Sequence, residues 1–399
     1  MSNTEKIKLP HGASFIIDRL FANGKEAFIV GGCVRDMIRG VAPNDYDITT
    51  SAFPEEMQTI FSDMKTVEIG IRHGTVAVLV DGELYEVTTY RIDGEYTDSR
   101  HPDTVTFSRN LSDDLSRRDF TMNAIAYNDE LGFVDLFFGK EDIENKIIRC
   151  VGDPMKRFTE DALRIIRALR FSATLGFEIE ENTERAIFEC AHLLKNVSRE
   201  RIFAEWKKLV SGKCAYSVIN KYRDVIAPLL SLDKSKLFLI DKALFDKAGE
   251  NARELSLYAG LESPSEKYRE AMCELRSDSK RIKLGSFALS ALSISTSTEI
   301  DIKKLLSKHS EEEVSLLAEL KISLSLEDSS LRERLASVLS SGDAYTLKQL
   351  KITGRDISDL GFKGALVGEV LDEVLSLVIE GSLLNEREAL LSYVKGKTK

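Results

Sequence analysis

At 399 residues the chain is longer than one hydrophobic core commonly organises, so two or more domains are expected. Its composition, 43% hydrophobic and 30% charged, is that of an ordinary soluble globular protein, with no apolar run long enough to cross a bilayer and no signal-peptide pattern in MSNTEKIKLP; a cytoplasmic protein is expected. A net charge of −10 argues against nonspecific coating of nucleic acid, and five scattered cysteines without a Cys-x-x-Cys pair or Cys/His cluster indicate neither a disulfide framework nor a structural zinc.

The first informative stretch is FIVGGCVRDMIRGVAPNDYDITT, Phe28 to Thr50. The apolar run Ala27 to Val30 ends on Gly31 and Gly32, and Val34 to Ile38 read as a short helix stopped by Gly40. Asn44 to Thr50 read as the next strand, on which Asp45 and Asp47 present two carboxylates from one face while Tyr46 and Ile48 turn toward the core. Paired carboxylates suit Mg²⁺, a hard cation that takes one or two acidic side chains plus substrate phosphates. The glycines let backbone N–H groups approach a phosphate, and Arg35, one helical step on, adds charge. Taken alone, a turn followed by a solvated Asp-x-Asp explains the same residues; the coincidence of phosphate cradle and carboxylate pair favours the site. A dinucleotide-binding reading of FIVGGCV fails because the GxGxxG positions hold Gly31, Cys33 and Asp36.

Further β-like runs, Thr75 to Val80, Leu84 to Tyr90 and Gly132 to Phe137, make residues 1 to about 140 an α/β or α+β unit. Within it RIDGEYTDSRHPDTV, Arg91 to Val105, is polar and aperiodic and reads as a loop. LSRRDFTMNAIAY, Leu115 to Tyr127, sets Arg117 and Arg118 beside Asp119: a pair suited to phosphate contact, or an ordinary exposed cluster with Asp119 as a cap or local partner.

From about Asp153 onward the chain reads as successive amphipathic helices. In RFTEDALRIIRALRF, Arg157 to Phe171, Thr159 is an N-cap candidate, with Glu160 and Asp161 in the first turn. Asp161 and Arg164 are three apart and either pair as a modest salt bridge or act together on a ligand. Arg167 and Arg170 continue that spacing, but each step turns about 60° around the axis, so Arg170 lies nearly opposite Asp161. A basic surface is suggested by Arg149, Lys156, Arg157, Arg164, Arg167 and Arg170, and by Arg199, Arg201, Lys207 and Lys208, the second group being equally an ordinary solvated face.

Together GGCVRD, DYD, RRDFTMNAIAY and EDALRIIRALRF resemble the class II tRNA nucleotidyltransferase and poly(A) polymerase family, and within it the bacterial CCA-adding enzymes. SRERIFAE, Ser198 to Glu205, looks like the family's later neck motif, and ITGRDISDLGFKGALVGEVLDEVL like the tail of the bacterial enzymes. The segment from about Ala215 to Asp343 matches no motif. The resemblance implies an α+β nucleotidyltransferase head with a mixed β-sheet over residues 1–140, followed by an all-α neck (141–212), body (213–345) and tail (346–399).

The resemblance also implies roles. Asp45 and Asp47 hold two Mg²⁺ ions that bring the tRNA 3′-hydroxyl onto the α-phosphate of an incoming nucleotide. Glu86 is a third catalytic carboxylate. Gly32, Arg35 and Arg118 contact the nucleotide's phosphates or sugar. Asp161 and Arg164 form the EDxxR template that selects CTP and ATP, because cytosine and adenine each offer an amino donor beside a ring-nitrogen acceptor. Arg167 and Arg170 match further nucleotide-contacting positions, with phosphate or structural contacts as alternatives to base reading. The loop Arg91 to Val105, with Glu95, Asp98 and Arg100, matches one needed for the switch from CTP to ATP, which disfavours CC-only addition. An A-adding enzyme, and a non-catalytic RNA-binding relative, are the alternatives to CCA addition.

Overall fold

The computed structural model describes residues 9–70, 74–94, 105–233, 235 and 240–397. Two compact units divide the chain, residues 1–218 and 219–399. The first opens with α1 (His11–Ala22), which buries Ala13, Ile16, Ile17 and Leu20 at the spacing of one helical face. β1 (Ala27–Val30) is buried at every position, as a strand covered on both sides must be. The chain turns at Gly31, whose φ of +84° is open to glycine without strain, into α2 (Gly32–Ile38). There follow β2 (Ile48–Thr50), α3 (Pro54–Ile60), β3 (Thr66–Gly70), β4 (Thr75–Val80), β5 (Glu83–Thr89), β6 (Arg91–Asp93), β7 (Val105–Phe107), α4 (Leu111–Ser116), β8 (Ile125–Asn128) and β9 (Gly132–Asp135).

Seven of these strands form one sheet in the order β3-β4-β5-β2-β1-β8-β9. β2 and β5 run parallel and the other neighbours antiparallel, the mixed sheet expected of the head. Phe28 and Val30 of β1, Leu115 and Ala126 pack with the fully buried Tyr90 into one core cluster. Two strand readings shift. β2 begins at Ile48, so Asp45 and Asp47 precede the strand, although the Val30 N–H still reaches the Asp47 carbonyl at 3.0 Å. The stretch read as a loop from Arg91 starts and ends in a two-stranded ribbon, Arg91 facing Phe107 and Asp93 facing Val105. Its Glu95, Asp98 and Arg100 lie outside the described residues.

The remainder of the first unit is mostly helical: α5 (Gly139–Glu144), β10 (Ile147–Ile148), α6 (Pro154–Glu160), α7 (Leu163–Leu175), β11 (Glu178–Ile179), α8 (Glu181–Cys190) and α9 (Arg199–Val210). α7 packs along α9, and β10 pairs with β11 in a short parallel bridge. Arg157 to Phe171 is two helices rather than one. Thr159 sits in the last turn of α6, donating back to the Met155 carbonyl at 2.8 Å, and does not cap a helix. Asp161 breaks the run with extended backbone, φ −141° and ψ 101°.

The second unit is helical throughout its described residues. One apolar cluster gathers Ile302, Leu317, Leu331 and Val338, and another Ile352, Ile357, Val374 and Leu390. Thr298 and Ser310 open two of its helices with reciprocal capping boxes. Among the described residues no helix is long and apolar enough to cross a membrane, and all five cysteines are free thiols.

Candidate active site

The carboxylates meet through the sheet. β2 pairs with β5 in the register Ile48 to Val87, both residues buried. Residues directly paired on parallel strands point the same way, so stepping back one position sets Asp47 beside Glu86 on the opposite, exposed face. Crowding of the Asp47 carboxyl by protein atoms raises its pKa, even though an edge of the residue still meets water; the charges of Asp45 and Glu86 add to the rise and Arg118 opposes it. Among the described residues no three His, Cys, Asp or Glu side chains close into a complete metal cage. What is present, hard oxygen donors that repel one another, fits a divalent cation completed by water and substrate phosphates.

Arg118 acts on this acidic patch electrostatically, through Asp47. Its Nη2 donates to Asp114 Oδ2 at 2.9 Å, while Arg117 donates from Nε and Nη2 to Asp114 Oδ1 at 3.0 and 2.6 Å. Burial alone would raise the Asp114 carboxyl, but the two guanidinium groups outweigh it and hold the pKa at about 2. A Cβ on Gly31 would come within 3.2 Å of Arg118 Nη1, so the glycine is needed for space as well as for its backbone angle. Arg118 Nε is buried with no hydrogen-bond partner among the described residues. Arg118 thus keeps unspent donors beside Asp47.

The helix break at Asp161 positions the second half of the site. Asp161 Oδ1 accepts the Leu163 N–H at 3.0 Å, and its Oδ2 accepts Arg201 Nη2 at 2.7 Å. Arg164, buried, donates from Nη1 to Glu160 Oε2 at 2.8 Å and to the Arg157 carbonyl at 3.1 Å. Its Nη2 donates to the Arg117 carbonyl at 3.0 Å. The side chains of Asp161 and Arg164 therefore do not pair with each other, correcting the salt-bridge alternative; each is oriented by other groups. Of the five N–H donors of Arg164, three are used by these bonds.

The other expected arginines are more fully engaged. Arg35 donates from Nε and Nη2 to the two oxygens of Asp36 at 3.0 and 2.8 Å, and from Nη1 to Asn123 at 2.9 Å. Gly32 lies on the same helix, with a hypothetical Cβ 3.6 Å from Arg35 Nη2. Arg167 donates from Nε and Nη2 to Asp119 Oδ2 at 2.9 and 2.7 Å. Arg170 donates to Glu205 at 2.8 Å and stacks 3.6 Å from the Phe171 ring centre. Burial would raise Asp119, but Arg167 leads the groups that hold it at about 2. The basic surface suggested by the sequence is thus largely neutralised in place, Arg149 by Asp142 and Arg157 by Glu160 as well.

Sequence reasoning did not single out Arg201, Glu160, Asp119 or Glu205 as supports. SRERIFAE carries Arg201 and Glu205, and Asp119 follows the arginine pair, but nothing local says which partner each will meet.

Three family models match the chain: "Poly A polymerase head domain" over residues 27–149, "Probable RNA and SrmB- binding site of polymerase A" over 176–225, and tRNA nucleotidyltransferase domain 2 over 254–394. A CCA-adding enzyme of Bacillus cereus (strain B4264) is 36% identical over 395 residues, covering 96% of this chain and 98% of that one. One from Streptococcus gordonii is 34% identical over 402 residues, 96% of each chain. Among solved structures, the Bacillus stearothermophilus CCA-adding enzyme in complex with CTP matches with a TM-score of 0.81 at 31% identity, over 98% of both chains. Full-length identity at this level, with the same fold, shows that the chain belongs to the family of tRNA nucleotidyltransferases and poly(A) polymerases that includes the CCA-adding enzymes.

Proposed function

We propose that this protein adds CCA to the 3′ end of tRNA, without a nucleic-acid template, using CTP and ATP and releasing pyrophosphate. The observation that carries the reading is the Arg117–Arg118 dipeptide: its carbonyl accepts from Arg164 at 3.0 Å, and the next side chain lies in the field of Asp47. Base-selecting and metal-holding groups then act on one nucleoside triphosphate. Work on tRNA sets the activity in the cytoplasm.

The enzymes of this family use metal ions, and for this chain the ion is Mg²⁺, held by Asp45 and Asp47 with Glu86 beside them. When bound, Mg²⁺ supplies activation of the 3′-hydroxyl and charge neutralisation on the departing pyrophosphate. The unspent donors of Arg118, with the backbone of Gly31 and Gly32, orient the triphosphate. Asp161 accepts the exocyclic amino group of cytosine or adenine, and a free donor of Arg164 meets the ring nitrogen beside it. Uracil and guanine set a carbonyl against the carboxylate and an N–H against the guanidinium, leaving buried charges unpaired and the base rejected. Arg201 and Glu160 keep the two readers in place. Arg35, Arg167 and Arg170 brace the surrounding elements.

Purified protein incubated with Mg²⁺, labelled CTP, ATP and a tRNA ending at its discriminator base tests the proposal. Extension by three nucleotides is expected. Extension only of a tRNA already ending in CC assigns the chain to A addition, and no incorporation at all overturns the enzymatic reading.

A further inference from the structure

Arg157, in the last turn of α6, touches both groups proposed to read the base. Its carbonyl accepts the Asp161 N–H at 3.3 Å and Arg164 Nη1 at 3.1 Å. Its own Nη1 lies 2.9 Å from Glu160 Oε2, and that same oxygen accepts Arg164 Nη1 at 2.8 Å. One carboxylate oxygen is thus shared by two guanidinium groups, and all three side chains are largely buried. Stability does not account for the Arg157 side chain. It stands three residues from Glu160 on the same helix, a spacing at which an ion pair adds little. Its Nε is buried with no hydrogen-bond partner among the described residues, and the desolvation of such a group costs more than the pair returns. An aliphatic residue of similar length would cover the same surface without that cost.

Competition for Glu160 supplies a role. Both hydrogens of Arg164 Nη1 are spent, one on Glu160 and one on the Arg157 carbonyl, and one of Nη2 goes to the Arg117 carbonyl. What is left for a base is the Nε hydrogen and one on Nη2. Glu160 Oε1, meanwhile, has no partner among the described residues. An arginine and a carboxylate left to themselves settle into a planar pair joined by two bonds. Glu160 turned onto Arg164 in that way, with Oε1 as second acceptor, would take one of the two hydrogens the base needs. The charge of Arg157 on Oε2 holds the carboxylate to a single bond with Arg164.

We propose that Arg157 is a positioning residue for base selection: by keeping Glu160 shared, it leaves Arg164 the donors that meet the ring nitrogen of cytosine or adenine. The inference rests on the proposed reading of the base by Asp161 and Arg164, and goes beyond it in assigning discrimination to a side chain that acts only through Glu160.

Arg157→Leu tests the assignment through the ratio of kcat/KM for CTP to that for UTP, on a tRNA ending at its discriminator base. The ratio should fall about tenfold or more, the order carried by one polar contact to a base. Arg157→Lys, which keeps a cation on Glu160, should hold the ratio within about threefold of wild type. In a Glu160→Gln background, Arg157→Leu should move it by less than about twofold, because the competing carboxylate is gone. A fall of the same size in both backgrounds, or equal losses in Arg157→Lys and Arg157→Leu, overturns the inference. So does a lowered melting temperature with the ratio intact, which leaves Arg157 a structural tie. Equilibrium binding of CTP and UTP to the full chain reads the same preference without catalysis, and Arg157→Gln takes the place of Arg157→Leu should the latter not fold. A wild type that binds the two nucleotides equally overturns the proposed base reading and this inference with it; a wild-type preference that Arg157→Leu leaves unchanged overturns this inference alone.

Discussion

Arg164 donates from Nη2 to the main-chain oxygen of Arg117, 3.0 Å away and 47 residues earlier in the chain. This one bond ties the start of α7 to the segment whose next side chain, Arg118, acts electrostatically on Asp47. In the proposed function, base selection and phosphoryl chemistry share this main-chain support.

Asp47→Asn should reduce nucleotide incorporation by about 10²–10³-fold or more, the order lost when one preorganised electrostatic contact to a transition state is removed. Filter binding of tRNA should stay within about twofold, because the exposed patch of Asp45, Asp47 and Glu86 repels rather than attracts RNA phosphates. Retained incorporation would refute the metal-holding assignment.

Arg164→Lys should erode the preference for CTP over UTP, in kcat/KM, by roughly 10²-fold, because a lysine cannot serve Glu160, the Arg117 carbonyl and a base from one planar fork. Single-nucleotide incorporation with each triphosphate measures the ratio. An unaltered ratio would remove Arg164 from base selection.

The Asp119 to Arg167 pair should behave as a structural tie. Arg167→Ala strands a buried carboxylate and should cost about 2–4 kcal/mol in urea unfolding, the lower part of the usual range because the Arg167 side chain is 32% exposed. Adding Asp119→Asn should recover part of the loss. A double-mutant cycle that returns no coupling would show the two groups to be independent.

Acid should unfold the first unit early. Asp114 and Asp119 both have folded-state pKa values depressed to about 2, so their stabilisation is complete above their unfolded values near 4 and disappears as pH falls toward 2. Each contributes about 2 kcal/mol on that scale. Thermal melts from pH 5 to pH 2 should show this slope for wild type and a shallower one for Asp119→Asn; parallel slopes would contradict the assignment.

Gly31→Ala should destabilise by roughly 1–2 kcal/mol, since alanine resists a φ of +84° and its methyl meets Arg118 at 3.2 Å. Because Arg118 must give way, KM for CTP should rise more than kcat falls. Steady-state kinetics on a tRNA lacking only its terminal residues separates the two.

Much of the candidate site was legible because the residues proposed for its chemistry lie in short-range patterns. The Gly31–Gly32 turn between an apolar strand and a helix follows from apolar patterning and from what glycine alone tolerates, whereas Asp45 and Asp47 stand just before the strand on which periodicity placed them. The strands β1, β4, β5 and β9 were legible from their apolar runs and β3 and β8 were not, while the mixture of parallel and antiparallel pairing was implied by the family resemblance. Thr159 looked like a helix start because its composition fits one, yet the preceding residues from Pro154 already form a helix with Asp153 as its cap, the Asp153 side chain accepting from the Met155 N–H at 3.0 Å.

By itself, then, the sequence determined the family, the order of strand, turn and helix in the head, and which acidic and basic residues were available to a nucleotide. Tertiary structure decided which of those charges meet partners far along the chain. Arg167 meets Asp119, Arg170 meets Glu205, and Asp161 meets Arg201, across 48, 35 and 40 residues respectively, while Arg118 retains a buried nitrogen without a hydrogen-bond partner among the described residues. Covalent spacing governs contacts within a turn or a strand pair. Which carboxylate reaches a given guanidinium depends on how separate elements pack, and a residue's local neighbours do not carry that information.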